Sequence, residues 1–576
     1  MIVGLLAMIV ANAAAILGAR SLLERVKVGK PAVDVLIFLL LRLLLISGVV
    51  LAAGAARMLR PLPLGLAGAA VGAALAARGV HRTLLPASRP PWDRWIVAVF
   101  AILGLRLLIQ VWILAPYNGD VLSYHLPKIA EWVRAGALTM DLGADPRATF
   151  PAGFELIETW WVVFLHHDVL IEMAGVEFLV VAGAAAYAIA RELDWDEKVA
   201  SISALTFVLT PGLHLQATSC LNDGPVAALV AATAALIVAR ADPLLILIPV
   251  GLGTGIKPTY VYALPGLAAI AWWSRRDAAA GPRDRRPAAT LGLAAIAVGA
   301  TWYFRNWVVF GNPIHPMGSE GYKSVSGATM QRLGPSLQAL RENLTCFLDI
   351  RVFDRHQAAD PLGAGNFNWG VAAFAIGAPA LVALLRTEPR LRRIALGLPL
   401  SAMTVFTLVE LDAWYARFVL YLPLLTSLAL ARLWTAHRFV AVLGSLALAM
   451  GFLSTLQPST IPKADLARLL RQDWSHRTTH PPPRLPEGDQ PVGCLGDELG
   501  GSYALYGPDY SRRVVVLRDD TVDGLMAHLE RERVRMFYGT GMSRAKQDLL
   551  DDAIRRGKLE PFDANGWKGY AVRDAH

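Results

Sequence analysis

Apolar residues run in long unbroken stretches over the first 455 positions, with polar residues gathered between them. Stretches of 17 or more apolar residues recur, each long enough to cross a hydrocarbon layer of about 30 Å. They predict about fourteen spans, near 2–18, 33–52, 62–78, 95–115, 168–190, 198–214, 218–240, 242–256, 258–273, 288–308, 366–386, 392–410, 414–432 and 438–455. The pair 242–256 and 258–273 is shorter than the roughly 20 residues a full crossing takes. These two are expected to be short, or to dip and return around "GTGIKPTY". After 455 the pattern changes. A proline-rich linker, "HPPPRLP", predicts extended, stiff chain. Beyond it "PVGCLG", "RRVVVL" and "VRMFYG" read as short strands, and "TVDGLMAHLERER" and "SRAKQDLLDDAIRRG" as amphipathic helices. Strands alternating with helices predict a small α/β domain with a partly parallel sheet. It has no phosphate-binding glycine motif, so it is assigned a stabilising or acceptor-docking role.

Composition agrees with this pattern. The chain is 55% hydrophobic and 18% charged, with mean hydropathy +0.43, which excludes an ordinary soluble protein of this size. A net charge of +9 raises the possibility of nucleic acid, but the basic residues lie between apolar stretches and read as topology signals. Arg20, Arg25, Lys27 and Lys30 follow the first span, and Arg78, Arg82, Arg89 and Arg94 the third. Arg275, Arg276, Arg283, Arg285 and Arg286 follow the ninth, and Arg386, Arg390, Arg392 and Arg393 the eleventh. All fall on one side, which the positive-inside rule makes cytoplasmic; Arg57 and Arg60 are against the pattern. The N-terminus and three long segments, 116–167, 309–365 and 456–576, are then external. The first twenty residues lack a basic n-region and read as a retained span. Cys220, Cys346 and Cys494 are odd in number and far apart, so neither a disulfide framework nor a zinc site is readable.

The chemistry concentrates where spans meet the external segments. In "PYNGDVLSYHLPKIAEWVRAG", residues 116–136, Leu122, Leu126, Ile129 and Val133 form one apolar helix face. His125, Lys128, Glu131 and Arg134 fall away from it, which suits a helix lying on the membrane surface. Asp120 stands just before this helix, either as an N-cap or as a reactive carboxylate. Asp223, in "QATSCLNDGPVA", occupies another corner on the same side with the same two readings. Lys257 in "GTGIKPT", Arg305 in "WYFRNWVVF" and Arg417 in "DAWYARFVLYLP" each border apolar sequence there. One such cation would be read as snorkelling to the interface. Three of them, facing two acids, fit an anionic head group better.

The order "NGDVLSYHLPKIAEW", "TFPAGFELIETWW", "LTPGLHLQATSCLNDGPVA", "GLGTGIKPTYVYALP", "YFRNWVVFGNPIHP" and "ARFVLYLPLL" resembles the GT-C membrane glycosyltransferases. The nearest group is the bacterial relatives of protein O-mannosyltransferases and the lipid A aminoarabinose transferase. The resemblance spans about residues 95–435 and rests on the order of six weak motifs. It implies an α-helical polytopic fold of about 11–14 transmembrane helices with a small C-terminal α/β extracytoplasmic domain. The division it implies is additional N-terminal helices over 1–94, a catalytic core over 95–455, and linker plus α/β domain over 456–576. It further implies a polyprenyl-phosphate-linked sugar donor and a lipid, glycan or protein acceptor, with transfer on the outer face of a bacterial inner membrane. Asp120 matches the family's catalytic base and Asp223 its second loop acid. Lys257 and Arg417 match residues expected near the donor phosphate, and Arg305, His125 and Lys128 are further candidates for it. Tyr124 is expected to line the site. The chain departs from the family in having a single acid at Asp120 and Ala152 in "FPAGF". These departures leave the acceptor and a divalent cation open; no cluster of metal ligands is readable, and His166, His167 and His315 read as interface or loop histidines.

The chemistry expected from this is an inverting displacement. Asp120 takes a proton from an acceptor hydroxyl, and the cations stabilise the departing lipid phosphate. The alternative is a polytopic transporter or flippase of a lipid-linked or anionic substrate, which would also use many spans and short interrupted helices.

Overall fold

A computed structural model describes residues 2–80, 93–139, 146–275, 285–317, 336–348, 370, 372–408, 415–455, 485, 488, 490–496, 502–539, 542–564 and 567–573. The basic stretch 276–284, most of 309–365 and the "HPPPRLP" linker lie outside these residues. The helices are α1 (Ile2–Val26), α2 (Pro31–Ala55), α3 (Pro61–Ala77), α4 (Arg94–Ile113), α5 (Leu126–Ala135), α6 (Gly153–Val162), α7 (Met173–Glu192), α8 (Glu197–Val208), α9 (Pro211–Gln216), α10 (Asp223–Val238), α11 (Pro243–Ile256), α12 (Leu264–Arg275) and α13 (Arg286–Phe310). They continue with α14 (Leu337–Leu348), α15 (Ala378–Leu384), α16 (Pro389–Leu408), α17 (Pro423–Ala436) and α18 (Arg438–Ser454). Proline opens many of them, at the first turn, where the missing N–H leaves no bond unmade.

Among the described residues six helices are long and apolar enough to cross a membrane, and five shorter ones are apolar. The chain is a polytopic helical membrane protein. The expected span 198–214 is divided into α8 and α9, because Thr210 precedes Pro211 and that pair breaks a continuous helix. The expected span 258–273 opens with a 3₁₀ turn, Pro258–Ala263, before α12.

Helix α10 is the centre of the bundle. Fifteen of its sixteen residues are buried, so its even apolar coat is that of an internal helix. Against it pack α7, α11 and α12. Helices α11 and α13 approach through small residues, Gly251 and Gly255 on one and Gly299 on the other. A Cβ on Gly255 would stand 2.6 Å from the Gly299 Cα, so only glycine permits this approach. It brings the end of α11 firmly against α13, where the Tyr303 hydroxyl donates to the Thr254 carbonyl at 2.8 Å.

The C-terminal domain holds β1 (Val492–Leu495), β2 (Val514–Leu517), α19 (Val522–Arg531), β3 (Met536–Gly539), α20 (Arg544–Arg555), β4 (Leu559–Ala564) and β5 (Trp567–Val572). The sheet order is β2-β1-β3-β5-β4. The three strands read from the sequence are parallel, as expected, and β5 and β4 add an antiparallel edge. A 3₁₀ turn, Ser502–Tyr506, projects from this domain and packs on α5 and on the turn before it.

Candidate active site

The segment between α4 and α6 is shaped locally. Asn118 Oδ1 accepts the Asp120 N–H at 3.1 Å, and Ser123 Oγ donates to the Gly119 carbonyl at 2.6 Å. The Asx-type bond of Asn118 turns the chain, the Ser123 hydroxyl ties it back to the carbonyl four residues earlier, and a π-turn, Val121–His125, follows and leads directly into α5. Gly136, at φ 64°, ends α5 in the left-handed conformation that glycine adopts readily.

Asp120 does not cap this turn with its side chain. Its carboxylate reaches Arg147 Nη1 at 3.3 Å and Arg417 Nη1 at 3.7 Å. Asp223 likewise is no N-cap; it occupies the first residue of α10, where the helix dipole favours a negative charge. Asp223 Oδ1 accepts from Lys257 Nζ, and Oδ2 lies 3.7 Å from Arg417 Nε. Arg417, on the 3₁₀ turn Tyr415–Val419 before α17, therefore bridges both acids. The Phe418 ring supports both cations, with Lys257 Nζ 4.9 Å and Arg417 Cζ 5.2 Å from its centroid. Burial pushes the Lys257 ammonium below its ordinary range, while Asp223 opposes the shift.

Lys257 is placed by its own motif. Tyr260 is fully buried and hydrogen-bonded to Thr233 Oγ1 at 2.7 Å, pinning the "KPTY" turn to α10. Gly253 makes room for the Tyr260 ring: a Cβ there would meet it at 2.3 Å.

Four of the sequence-predicted residues, Asp120, Asp223, Lys257 and Arg417, thus converge from four separate segments. Tyr124 borders the group, with the Arg147 guanidinium 4.8 Å above its ring. Arg147 was not read from the sequence; it sits in a polar loop, "DPRAT", that carries no periodic signal.

Three other candidates are elsewhere. Arg305 is buried, and its guanidinium bonds Asn306 Oδ1 at 2.7 and 2.9 Å and the Thr149 carbonyl; it contacts neither Asp120 nor Asp223. His125 and Lys128 do not face water. Both are buried against Glu155, whose Oε1 stands 2.9 Å from His125 Nδ1 and 2.7 Å from Lys128 Nζ. The surface-helix reading of α5 is corrected accordingly: Lys128 and Trp132 are as buried as Ile129 and Val133, because α6 and the Ser502–Tyr506 turn cover the helix. Burial would raise the Glu155 carboxyl, but Lys128 and His125 outweigh it and lower it to about 2.

The donor set around Asp120 and Asp223 does not fit a divalent cation. Arg417 stands between the two carboxylates and Lys257 against one of them, so protein cations occupy the positions a metal would need. Among the described residues no three His, Cys, Asp or Glu side chains gather as a metal site.

No family model matches the sequence, and no curated protein matches it. The fold does have solved counterparts. The crystal structure of ArnT from Cupriavidus metallidurans bound to undecaprenyl phosphate is similar, with TM-score 0.52 and 12% identity, over 83% of this chain and 98% of that one. The apo state of the same ArnT is similar too, with TM-score 0.51 and 12% identity, over 83% of this chain and 97% of that one. The helical polytopic fold with a small C-terminal α/β domain expected from the sequence is the fold observed, and it is similar to that of ArnT.

Proposed function

We propose that this chain is a membrane glycosyltransferase that moves a sugar from a polyprenyl-phosphate-linked donor to an acceptor hydroxyl at the extracytoplasmic face of the inner membrane. The observation that carries the reading is Arg417 held within 3.7 Å of both Asp120 and Asp223, beside Lys257, at the ends of buried helices. The ArnT-like fold, seen there with undecaprenyl phosphate, supports the choice of donor.

Lys257 and Arg417 take the donor phosphate. Both are charged, side by side, and backed by an aromatic face, which suits a lipid phosphate better than a neutral ligand. Asp120 accepts the acceptor hydroxyl's proton as that oxygen bonds to the anomeric carbon. The bond from that carbon to the phosphate oxygen breaks, and its electron pair leaves with the lipid phosphate. The charge that gathers there is stabilised by Lys257 and Arg417, preorganised in a poorly hydrated site. Asp223 orients the acceptor once phosphate has claimed Lys257. A single displacement inverts the anomeric centre and needs one base, unlike the carboxylate pair of glycoside hydrolases.

The test is transfer by purified protein given a polyprenyl-phospho-sugar and candidate acceptors. Asp120→Asn should lower the rate by about 10²–10⁴, the usual contribution of a general base. Full activity in Asp120→Asn removes Asp120 as the base. Movement of the intact sugar lipid across a bilayer without transfer favours the transporter reading. A reporter fused after Arg283 should be cytoplasmic; an external signal overturns the orientation.

A further inference from the structure

Glu155 and Glu158 stand out among the carboxylates that the proposed transfer does not use. Both are on α6, inside the apolar "FELIETWW", and both are fully buried. Glutamate is almost never buried completely unless it is paired. Glu158 has the weak donor of the Cys220 thiol beside it and no cation in hydrogen-bond contact, and burial together with the neighbouring Glu155 charge pushes its carboxyl well up. Glu155 is therefore the charged member. It spends one oxygen, Oε1, on two donors that both come from the Asp120 segment.

Those donors are placed with consequence. His125 is the last residue of the π-turn Val121–His125 and Lys128 lies in the first turn of α5. The π-turn is a rare, weakly bonded geometry that must be held from outside. Its near end is held by the Asn118 and Ser123 bonds, and its far end by Glu155. Between them a chain of contacts leads back to the acid. The His125 ring lies 4.3 Å from that of Tyr124, the Tyr124 ring carries the Arg147 guanidinium at 4.8 Å, and Arg147 reaches Asp120 at 3.3 Å. Stability alone does not require an ion pair here, since apolar residues of similar volume serve a buried position as well or better. What the ion cluster adds is one register and one rotation of the segment.

We propose that Glu155 is a positioning residue for the transfer reaction: by holding His125 and Lys128 it fixes the turn that aims Asp120 at the acceptor. This rests on the glycosyltransferase reading, and it acts through Asp120, never on the substrate.

The experiment compares wild type, Glu155→Gln and Glu177→Gln. Glu177 forms a half-buried ion pair with Arg42 between α7 and α2 and accepts from Trp161 of α6, so its variant removes a carboxylate charge from the same part of the bundle without touching His125 or Lys128. Glu155→Gln is expected to lower kcat per folded molecule by about 10- to 100-fold, since displacement of a reacting group by about 1 Å costs that much. Its KM for the sugar lipid should stay within about twofold, because Lys257 and Arg417 are untouched. Amide exchange over residues 118–125 should quicken in Glu155→Gln and not in Glu177→Gln. Unchanged kcat per folded molecule together with unchanged exchange in that stretch overturns the proposal. So does an equal kcat loss in both variants. Should Glu155→Gln fail to fold, the charge-neutral pair Glu155→Leu with Lys128→Met replaces it. A folded double variant with lowered kcat supports positioning, and one with full kcat refutes it. If wild type transfers no sugar, the functional reading fails by itself, and the exchange measurement still decides whether Glu155 holds the turn.

Discussion

Replacing Asp223 with Asn should make the protein bind polyprenyl phosphate more tightly while transferring sugar more slowly. Asp223 Oδ1 takes the Lys257 ammonium, and Arg417 Nε stands 3.7 Å from Oδ2. A lipid phosphate engages both cations fully only by displacing this carboxylate. A hydrogen bond to a charged group contributes about 1.5–3 kcal/mol net. At 1.4 kcal/mol for each factor of ten, that is about 10- to 150-fold in Kd. The Lys257 side chain is 19% exposed, so water screens part of the pair and the lower half of that range is expected. The assay is titration of wild type and Asp223→Asn with polyprenyl phosphate in lipid nanodiscs, followed by Trp fluorescence, with thermal melts to confirm that both are folded. Equal or weaker binding by a folded Asp223→Asn would refute the reasoning, because Asp223 would then assist the phosphate rather than compete with it.

Three further outcomes are expected. Because burial raises the Glu158 carboxyl, its contribution to stability is fully present below the ordinary carboxyl range and is lost as pH climbs above it. Glu158→Gln removes that loss, so its Tm advantage over wild type should widen from pH 5 to pH 8; a gap independent of pH contradicts this. Gly253→Ala drives a Cβ to 2.3 Å from the Tyr260 ring and should cost about 1–3 kcal/mol as an overpacked site. It should also raise the KM for sugar lipid through the displaced Lys257 turn, and an unchanged KM separates the two effects. Tyr503→Phe deletes the hydroxyl that donates to Asp168 Oδ2 at 3.0 Å and should weaken docking of the C-terminal domain by about 1 kcal/mol. Faster exchange confined to residues 502–510 is the measurement that checks it.

The membrane bundle and the parallel strands were legible because long apolar runs and short β-branched runs answer to local rules. The β4–β5 hairpin was missed although Asn565-Gly566 lies between its strands, a dipeptide that signals a two-residue turn. The break at Thr210-Pro211 was also written in the sequence, but it was hidden inside one apolar stretch. Asp120, Asp223, Lys257 and Arg417 stood out because a charge at the end of an apolar span is conspicuous. Arg147 and Glu155 did not, since each lies 27 residues from its partner and no periodicity links them. Periodicity found the apolar face of α5 correctly. It said nothing of what the polar face would meet: His125 and Lys128 meet a buried glutamate on α6, while Glu131 and Arg134 pair with each other and stay partly exposed.

The docked C-terminal domain also bears on how the protein is made. Tyr503 and Asp168 are 335 residues apart in the chain, yet they are in contact, and the Ser502–Tyr506 turn lies on the segment that follows Asp120. At about 5–20 residues per second, a ribosome needs roughly 15–70 s to travel from one to the other. Throughout that time the Asp120 segment exists without its cover, in a chain whose other helices are already entering the bilayer. Completion of this part of the fold is thus a late event of biosynthesis, and a chain released early carries the acids and cations without the turn that packs on the segment beside Asp120.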